Sequence, residues 1–146
     1  MKVSVIHGPN MNMLGIREPE VYGKHTYEDL ITFIKEQCEE NGMEATFYQS
    51  NHEGDLIDKI HEAYFKNVDA IIINAGAYTH TSIAIHDAIV AVGIPTIEVH
   101  ISNIAAREDF RKDSFLSDVC VRSYVGFGFE GYAKAVKHLK RKYYKD

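Results

Sequence analysis

Glu98 and His100 stand two residues apart in the segment EVHISN. On an extended strand that spacing puts both side chains on one side. A carboxylate beside an imidazole raises its proton affinity and fixes its orientation, which suits a general acid. A lone histidine there would ordinarily be a satisfied residue near a sheet edge; the carboxylate weighs against that reading. Ser102 and the backbone N–H groups of Ile101 and Ser102 follow, and such groups can hold a substrate carboxylate. A second polar cluster, Asn74-Ala75-Gly76-Ala77-Tyr78-Thr79-His80, offers amide and imidazole groups. Within it His80 is either a binding residue or a cap on the helix that follows. Arg107 and Arg111 lie four apart in AREDFR. They can form a solvated face, but a loop after a strand end is where an anionic substrate would need them.

The third chemical stretch is Val5 to Gly23, VIHGPNMNMLGIREPEVYG. Connections this long inside a compact domain are uncommon and are usually functional or disordered. This one carries Asn10, Asn12, Arg17, Glu18 and Tyr22 between Gly8, Pro9, Gly15, Pro19 and Gly23. Glycine and proline set turns and leave room for backbone near a ligand. A merely solvated loop has no need of that combination.

These residues need a scaffold. The chain has 146 residues, enough for one domain spanning 1–146 with a proper core. Its 45% hydrophobic and 25% charged content is that of an ordinary globular protein, and the net charge of −5 disfavours a nucleic-acid partner. Cys38 and Cys120 have no CxxC spacing and read as small core residues in a reducing cytoplasm. No apolar run is long enough to span a membrane, so export and membrane anchoring are unsupported. His80, His86 and Asp87 lack a recognised ligand spacing, so no metal is expected. His86 reads as a helix-surface residue.

Strand patterns fall at Lys2 to Ile6, Met43 to Gln49, Asp69 to Ile73, Pro95 to Val99 and Val119 to Val125. Between them lie helical patterns. The first follows Thr26, an N-cap candidate with Asp29 three residues on, and stops near Gly42. The others cover Asp55 to Lys66, Thr81 to Val92 and Glu130 to Tyr144, while no helical pattern precedes Thr26. The apolar run DAIII marks a strand buried on both faces. This alternation predicts an α/β fold: a flavodoxin-like, doubly wound, five-stranded parallel sheet of order 2-1-3-4-5. In that order strands one, three and four are adjacent, and ligands bind outside their carboxyl ends. The three polar clusters follow those three strands, so they are expected to converge on one crevice.

Gly126 to Gly131 matches GxGxxG, but the last helix leaves no following strand to complete a dinucleotide-binding unit. It reads as a strand-to-helix turn. One alternative is a flavodoxin-like module binding FMN or a small anion, although no Ser/Thr-rich phosphate loop follows strand one and the chain has no tryptophan. A hydrolase using Ser102 and His100 is a weaker alternative, since no nucleophile-elbow glycine follows.

Four ordered motifs, HGPNMNMLGIREPEVYG, NAGAYTHTS, EVHISN with AREDFR, and GFGFEGY, together resemble the type II 3-dehydroquinate dehydratases over nearly the whole chain. The resemblance implies a flavodoxin-like, cytoplasmic enzyme of the shikimate route or of quinate breakdown, assembled as a dodecamer from four trimers. It implies neither metal nor organic cofactor. It implies Tyr22 as base and His100 as acid, with Glu98 beside it, Arg17 assisting from the loop, and Asn10 holding water at an enolate. Asn74, His80, Arg111 and the Ile101–Ser102 backbone would bind substrate, and Asp87 would reach in from a neighbouring subunit. Departures are Met11 and Met13 for leucine, Ala75 for proline, His86 for arginine, and Arg122 and Ser123 in a strand normally small and apolar. The last two departures and His86 touch the expected subunit contacts. No lysine lies in the convergent loops, which argues against an imine route.

Overall fold

Four of the five strands are followed by a helix that covers one face of the sheet, and the fourth passes to the fifth through three 3-10 turns. The computed structural model describes residues 1–22 and 24–144, apart from the side chains of Val21, Tyr22 and Ala105. The strands are β1 (Lys2–His7), β2 (Glu44–Gln49), β3 (Ala70–Asn74), β4 (Thr96–His100) and β5 (Arg122–Val125). All pair in parallel in the order β2-β1-β3-β4-β5, as the alternation predicts. The helices are α1 (Pro19–Tyr22), α2 (Tyr27–Glu40), α3 (Glu53–Phe65), α4 (Ile83–Val92) and α5 (Glu130–Lys142).

Every residue of β3 is buried. Ala70 and Ile72 pack with Val3, Val5, Leu30, Ile34, Val136 and Leu139 on the face covered by α2 and α5. Ile71 and Ile73 pack with Ile6, Leu56, Ile60, Ile85 and Ile89 on the face covered by α3 and α4. Adjacent strand residues point to opposite faces, so a sheet covered on both sides needs an unbroken apolar run. Helix α2 starts at the expected capping box: Asp29 N–H donates to Thr26 Oγ1 at 3.1 Å, and Thr26 N–H donates to Asp29 Oδ2 at 2.9 Å.

The differences from the sequence pattern have physical causes. Strands β1, β3 and β4 each run one residue further than their apolar runs, taking in His7, Asn74 and His100. The backbone ladder continues through these polar residues, with His7 opposite Asn74 and His100 opposite Val125. Strand β5 starts later than expected because Ser117–Val119 forms a 3-10 turn. The loop after β1 holds a 3-10 turn at Met11–Met13 and the short α1, where no helical pattern was legible. Pro19 opens α1 at a position where its missing N–H costs nothing, and buried Met11 and Leu14 tie the loop to the core. Helix α4 begins at Ile83 because Ser82 Oγ accepts the Ile85 N–H at 2.9 Å, making Ser82 its cap.

Two glycines bring the loops after β1 and β3 together. The Gly8 N–H donates to the Asn74 carbonyl at 2.8 Å. A Cβ on Gly8 would lie 2.3 Å from the Ala75 carbonyl oxygen, and Gly76 adopts a left-handed φ of +59° against Pro9. Gly126 and Gly128 lie in the turn from β5 into α5, as read from the sequence, and Gly131 lies in the first turn of α5. No described helix is long and apolar enough to cross a membrane.

Candidate active site

A cleft of about 90 Å³ opens at the carboxyl ends of β1, β3 and β4. The first loop contributes Pro9, Asn10, Met11, Leu14 and Arg17. The segment after β3 contributes Asn74, Gly76, Ala77 and His80, and that at β4 contributes His100, Ile101, Ser102, Ile104, Arg107 and Arg111. The three predicted clusters therefore converge, because adjacent parallel strands deliver their following loops to one edge.

His100 is the last residue of β4, and its Nε2 lies 2.6 Å from Glu98 Oε2. Both side chains are almost wholly buried, Glu98 behind His100 and away from the cleft. Three hydroxyls complete the surroundings of the carboxylate. Ser114 Oγ donates to Oε2 at 2.6 Å, while Ser117 Oγ and Ser123 Oγ donate to Oε1 at 2.6 and 2.8 Å. Burial pushes the Glu98 carboxyl up. The hydrogen bond and charge of His100, with the Ser114 and Ser117 hydroxyls, outweigh burial and hold it at about 2. An ionised buried carboxylate needs such partners. Its bond to Nε2 leaves Nδ1 as the ring nitrogen available to a ligand.

The arginines are arranged by two glutamates. Arg17 Nη2 and Arg107 Nη2 both approach Glu18 Oε2, at 2.9 and 3.5 Å. Arg111 Nε donates to Glu108 Oε2 at 2.7 Å. Glu18 holds this position with a φ of +40°, a conformation a non-glycine residue rarely adopts. Asn10, at φ +68°, donates its N–H to Asn51 Oδ1 at 3.0 Å.

Beneath the cleft lies a buried polar group whose mutual contacts no motif reveals. His7 Nδ1 is 2.9 Å from the Tyr27 hydroxyl, and His7 Nε2 is 2.9 Å from the Tyr132 hydroxyl. Asn74 Nδ2 reaches the Tyr132 hydroxyl at 3.4 Å. Burial lowers the His7 pKa to about 3 and raises that of Tyr27 to about 12.

Of the expected site residues, Asn10, Arg17, Asn74, His80, His100, Ile101, Ser102 and Arg111 meet at the cleft, with Arg107. The Tyr22 side chain lies outside the described residues. Asp87 is absent from its own chain's cleft; its exposed carboxylate accepts from His86 Nδ1 at 3.0 Å. His86 lies on the surface of α4, where its Nε2 also sits 3.6 Å from Asp118 Oδ2. The capping alternative for His80 is corrected: Ser82 caps α4, and His80 Nδ1 donates to the Asp113 carbonyl at 2.7 Å. Sequence reasoning missed His7, Tyr132 and the three serines as parts of the site. Ser123 carried one signal, being polar in a strand expected to be apolar. Among the described residues, no three His, Cys, Asp or Glu side chains gather to hold a metal.

A flavodoxin-like sheet with a buried carboxylate–imidazole pair at its switch-point cleft defines an α/β acid–base enzyme. Residues 1–140 match the family model for dehydroquinase class II, and the chain belongs to that family. The 3-dehydroquinate dehydratase of Caldicellulosiruptor bescii is 60% identical over 139 residues, covering 95% of this chain and 96% of that protein. The 3-dehydroquinate dehydratase of Fusobacterium nucleatum is 55% identical over 147 residues, covering 99% and 100%. The crystal structure of the type II dehydroquinase from Butyrivibrio crossotus has a TM-score of 0.93 at 53% identity, covering 95% of this chain and 97% of that one.

Proposed function

We propose that the chain, acting as one domain over 1–146, dehydrates 3-dehydroquinate with Tyr22 as base and His100 as acid. The reaction gives 3-dehydroshikimate and water in the shikimate pathway, here assigned to aromatic amino-acid biosynthesis in the cytoplasm. The observation that carries the acid assignment is His100 in the cleft wall, backed by the buried Glu98 carboxylate at 2.6 Å. The substrate is a β-hydroxy ketone, so a proton next to the carbonyl is acidic. Its removal forms an enolate, which hydrogen-bond donors aimed at the oxyanion stabilise. Asn10 holds a water there. The hydroxyl then leaves as water, taking a proton from His100 Nδ1 while Glu98 keeps the opposite nitrogen bound. Arg111, Asn74, His80 and the Ile101–Ser102 backbone hold the substrate.

Tyr22 needs help to act as a base. A free tyrosine has a pKa of about 10, so work near neutrality requires a fall of about 3 units. One positive charge about 4 Å away contributes on the order of 4 kcal/mol at an effective dielectric of 20, which nearly suffices when the loop closes and excludes water, and it must outweigh desolvation, which raises a tyrosine's pKa. Arg17 and Arg107, held together by Glu18, supply this charge.

The assembly is a dodecamer of four trimers in which Asp87 completes a neighbour's cleft. Helix α4 supports this, because Ile83 and Val90 flank Asp87 on its outer face and are 63% and 58% exposed. The test of the whole reading is to add 3-dehydroquinate and follow the ultraviolet absorbance of a conjugated enone. Among the described residues no lysine lines the cleft, so the activity should resist borohydride in the presence of substrate. Inactivation by borohydride would point to an imine and overturn the mechanism.

A further inference from the structure

The catalytic scheme above uses none of His7, Tyr27 and Tyr132, although they lie directly behind a residue of the cleft. Their hydrogen bonds can be given a direction, starting from a proton whose place is certain. The Gly76 N–H donates to Asn74 Oδ1 at 3.1 Å. This bond settles which end of the Asn74 amide is the oxygen. The other end, Nδ2, therefore donates to the Tyr132 hydroxyl at 3.4 Å. That hydroxyl belongs to a wholly buried side chain, and its own proton needs an acceptor. Among the described residues its one other partner is His7 Nε2, at 2.9 Å. Nε2 is then the bare nitrogen, and the ring proton is on Nδ1, which donates to the Tyr27 oxygen at 2.9 Å. A doubly protonated ring would offer two donors and strand the Tyr132 proton. Burial disfavours that ring as well, lowering the His7 pKa to about 3.

We propose that His7 is a positioning residue for the ligand. As a neutral ring protonated on Nδ1 it accepts a hydrogen bond from the Tyr132 hydroxyl at Nε2, which leaves the Tyr132 oxygen as the acceptor for the Asn74 amide. Asn74 is thereby locked with its second Nδ2–H available to a ligand hydroxyl or carbonyl oxygen. The chain runs from Tyr27 through His7 and Tyr132 to Asn74, and a fault at any link frees the amide to turn. This rests on the reading that Asn74 binds the substrate.

Nitrogen-15 NMR of the imidazole tests the tautomer, and steady-state kinetics of Asn74→Ala, Tyr132→Phe, His7→Leu and His7→Gln test its consequence. The ring should keep a protonated Nδ1 and a bare Nε2 across about pH 5 to 8, where an ordinary histidine titrates. Losing one neutral hydrogen bond to the ligand should raise KM by about fivefold to tenfold in Tyr132→Phe and His7→Leu. Their kcat should stay within about threefold of the parent. His7→Gln, whose side-chain carbonyl reaches the place of Nε2, should restore most of the affinity. If His7→Leu fails to fold, Tyr132→Phe, which removes a single oxygen, carries the kinetic test. A ring protonated on Nε2 overturns the proposal. So does an unchanged KM in folded Tyr132→Phe when Asn74→Ala raises KM, and that result leaves the role of Asn74 standing. An unchanged KM in Asn74→Ala removes the role of Asn74 itself, and the positioning role with it.

Discussion

The Glu98 carboxylate and the His100 imidazole meet at 2.6 Å with both side chains buried, and three serine hydroxyls share the same carboxylate. A carboxylate so surrounded stays ionised and holds the imidazole at one nitrogen. His100→Ala should lower kcat by roughly 10²- to 10⁴-fold, the range for loss of a general acid, with a smaller change in KM. Glu98→Gln removes the carboxylate that holds the ring at Nε2 and should also lower kcat, by less than His100→Ala does. Parent-like kcat in His100→Ala would remove it from the mechanism.

Acid stability should show two separable windows. His7 has its pKa lowered from 6.5 to about 3, so the unfolded chain binds its proton first. Stability contributed by the neutral buried ring is therefore present above 6.5 and falls progressively as pH drops toward about 3. Glu98 is lowered from 4.5 to about 2, so its contribution is present above 4.5 and is lost toward about 2. Urea titrations at stepped pH should show His7→Gln flattening the curve below 6.5, and Glu98→Gln flattening it only below 4.5. A His7→Gln curve parallel to the parent would contradict a neutral buried ring.

For the base, Tyr22→Phe should cut kcat by about 10²-fold or more while leaving substrate binding largely intact. Arg17→Ala should also lower kcat severely. Arg17→Lys should restore only part of it, because a lysine lacks the planar fork. Tyr22→Phe retaining most of its turnover would end the assignment of the base.

Light scattering should report a multimer. Replacing Ile83 and Val90 with glutamates should break it, since both apolar side chains stand on the exposed face of α4. Asp87→Ala should weaken substrate binding in the intact assembly. A fully active monomer would refute a shared site.

Much of this site was legible because its signals are local. Glu98 and His100 are two residues apart on one strand, so their meeting follows from the pleat alone. The apolar runs of β1, β3 and β4 placed three polar clusters at one sheet edge once the alternation implied the strand order. The apolar pattern ended each of those strands one residue early, since His7, Asn74 and His100 look like loop residues while their backbones still pair.

What the chain alone determined was the layering, the sheet order and the groups that face the cleft, because periodicity and neighbour spacing are properties of short segments. Only the tertiary structure decided what stands behind them. Ser114, Ser117 and Ser123 reach Glu98 from 16, 19 and 25 residues away, and His7 finds Tyr132 across 125 residues. Hydroxyls and a lone imidazole carry no period of their own. Their partners are set by the burial of a carboxylate and a phenol, whose polar atoms must be satisfied wherever the packed helices and strands place a donor or an acceptor.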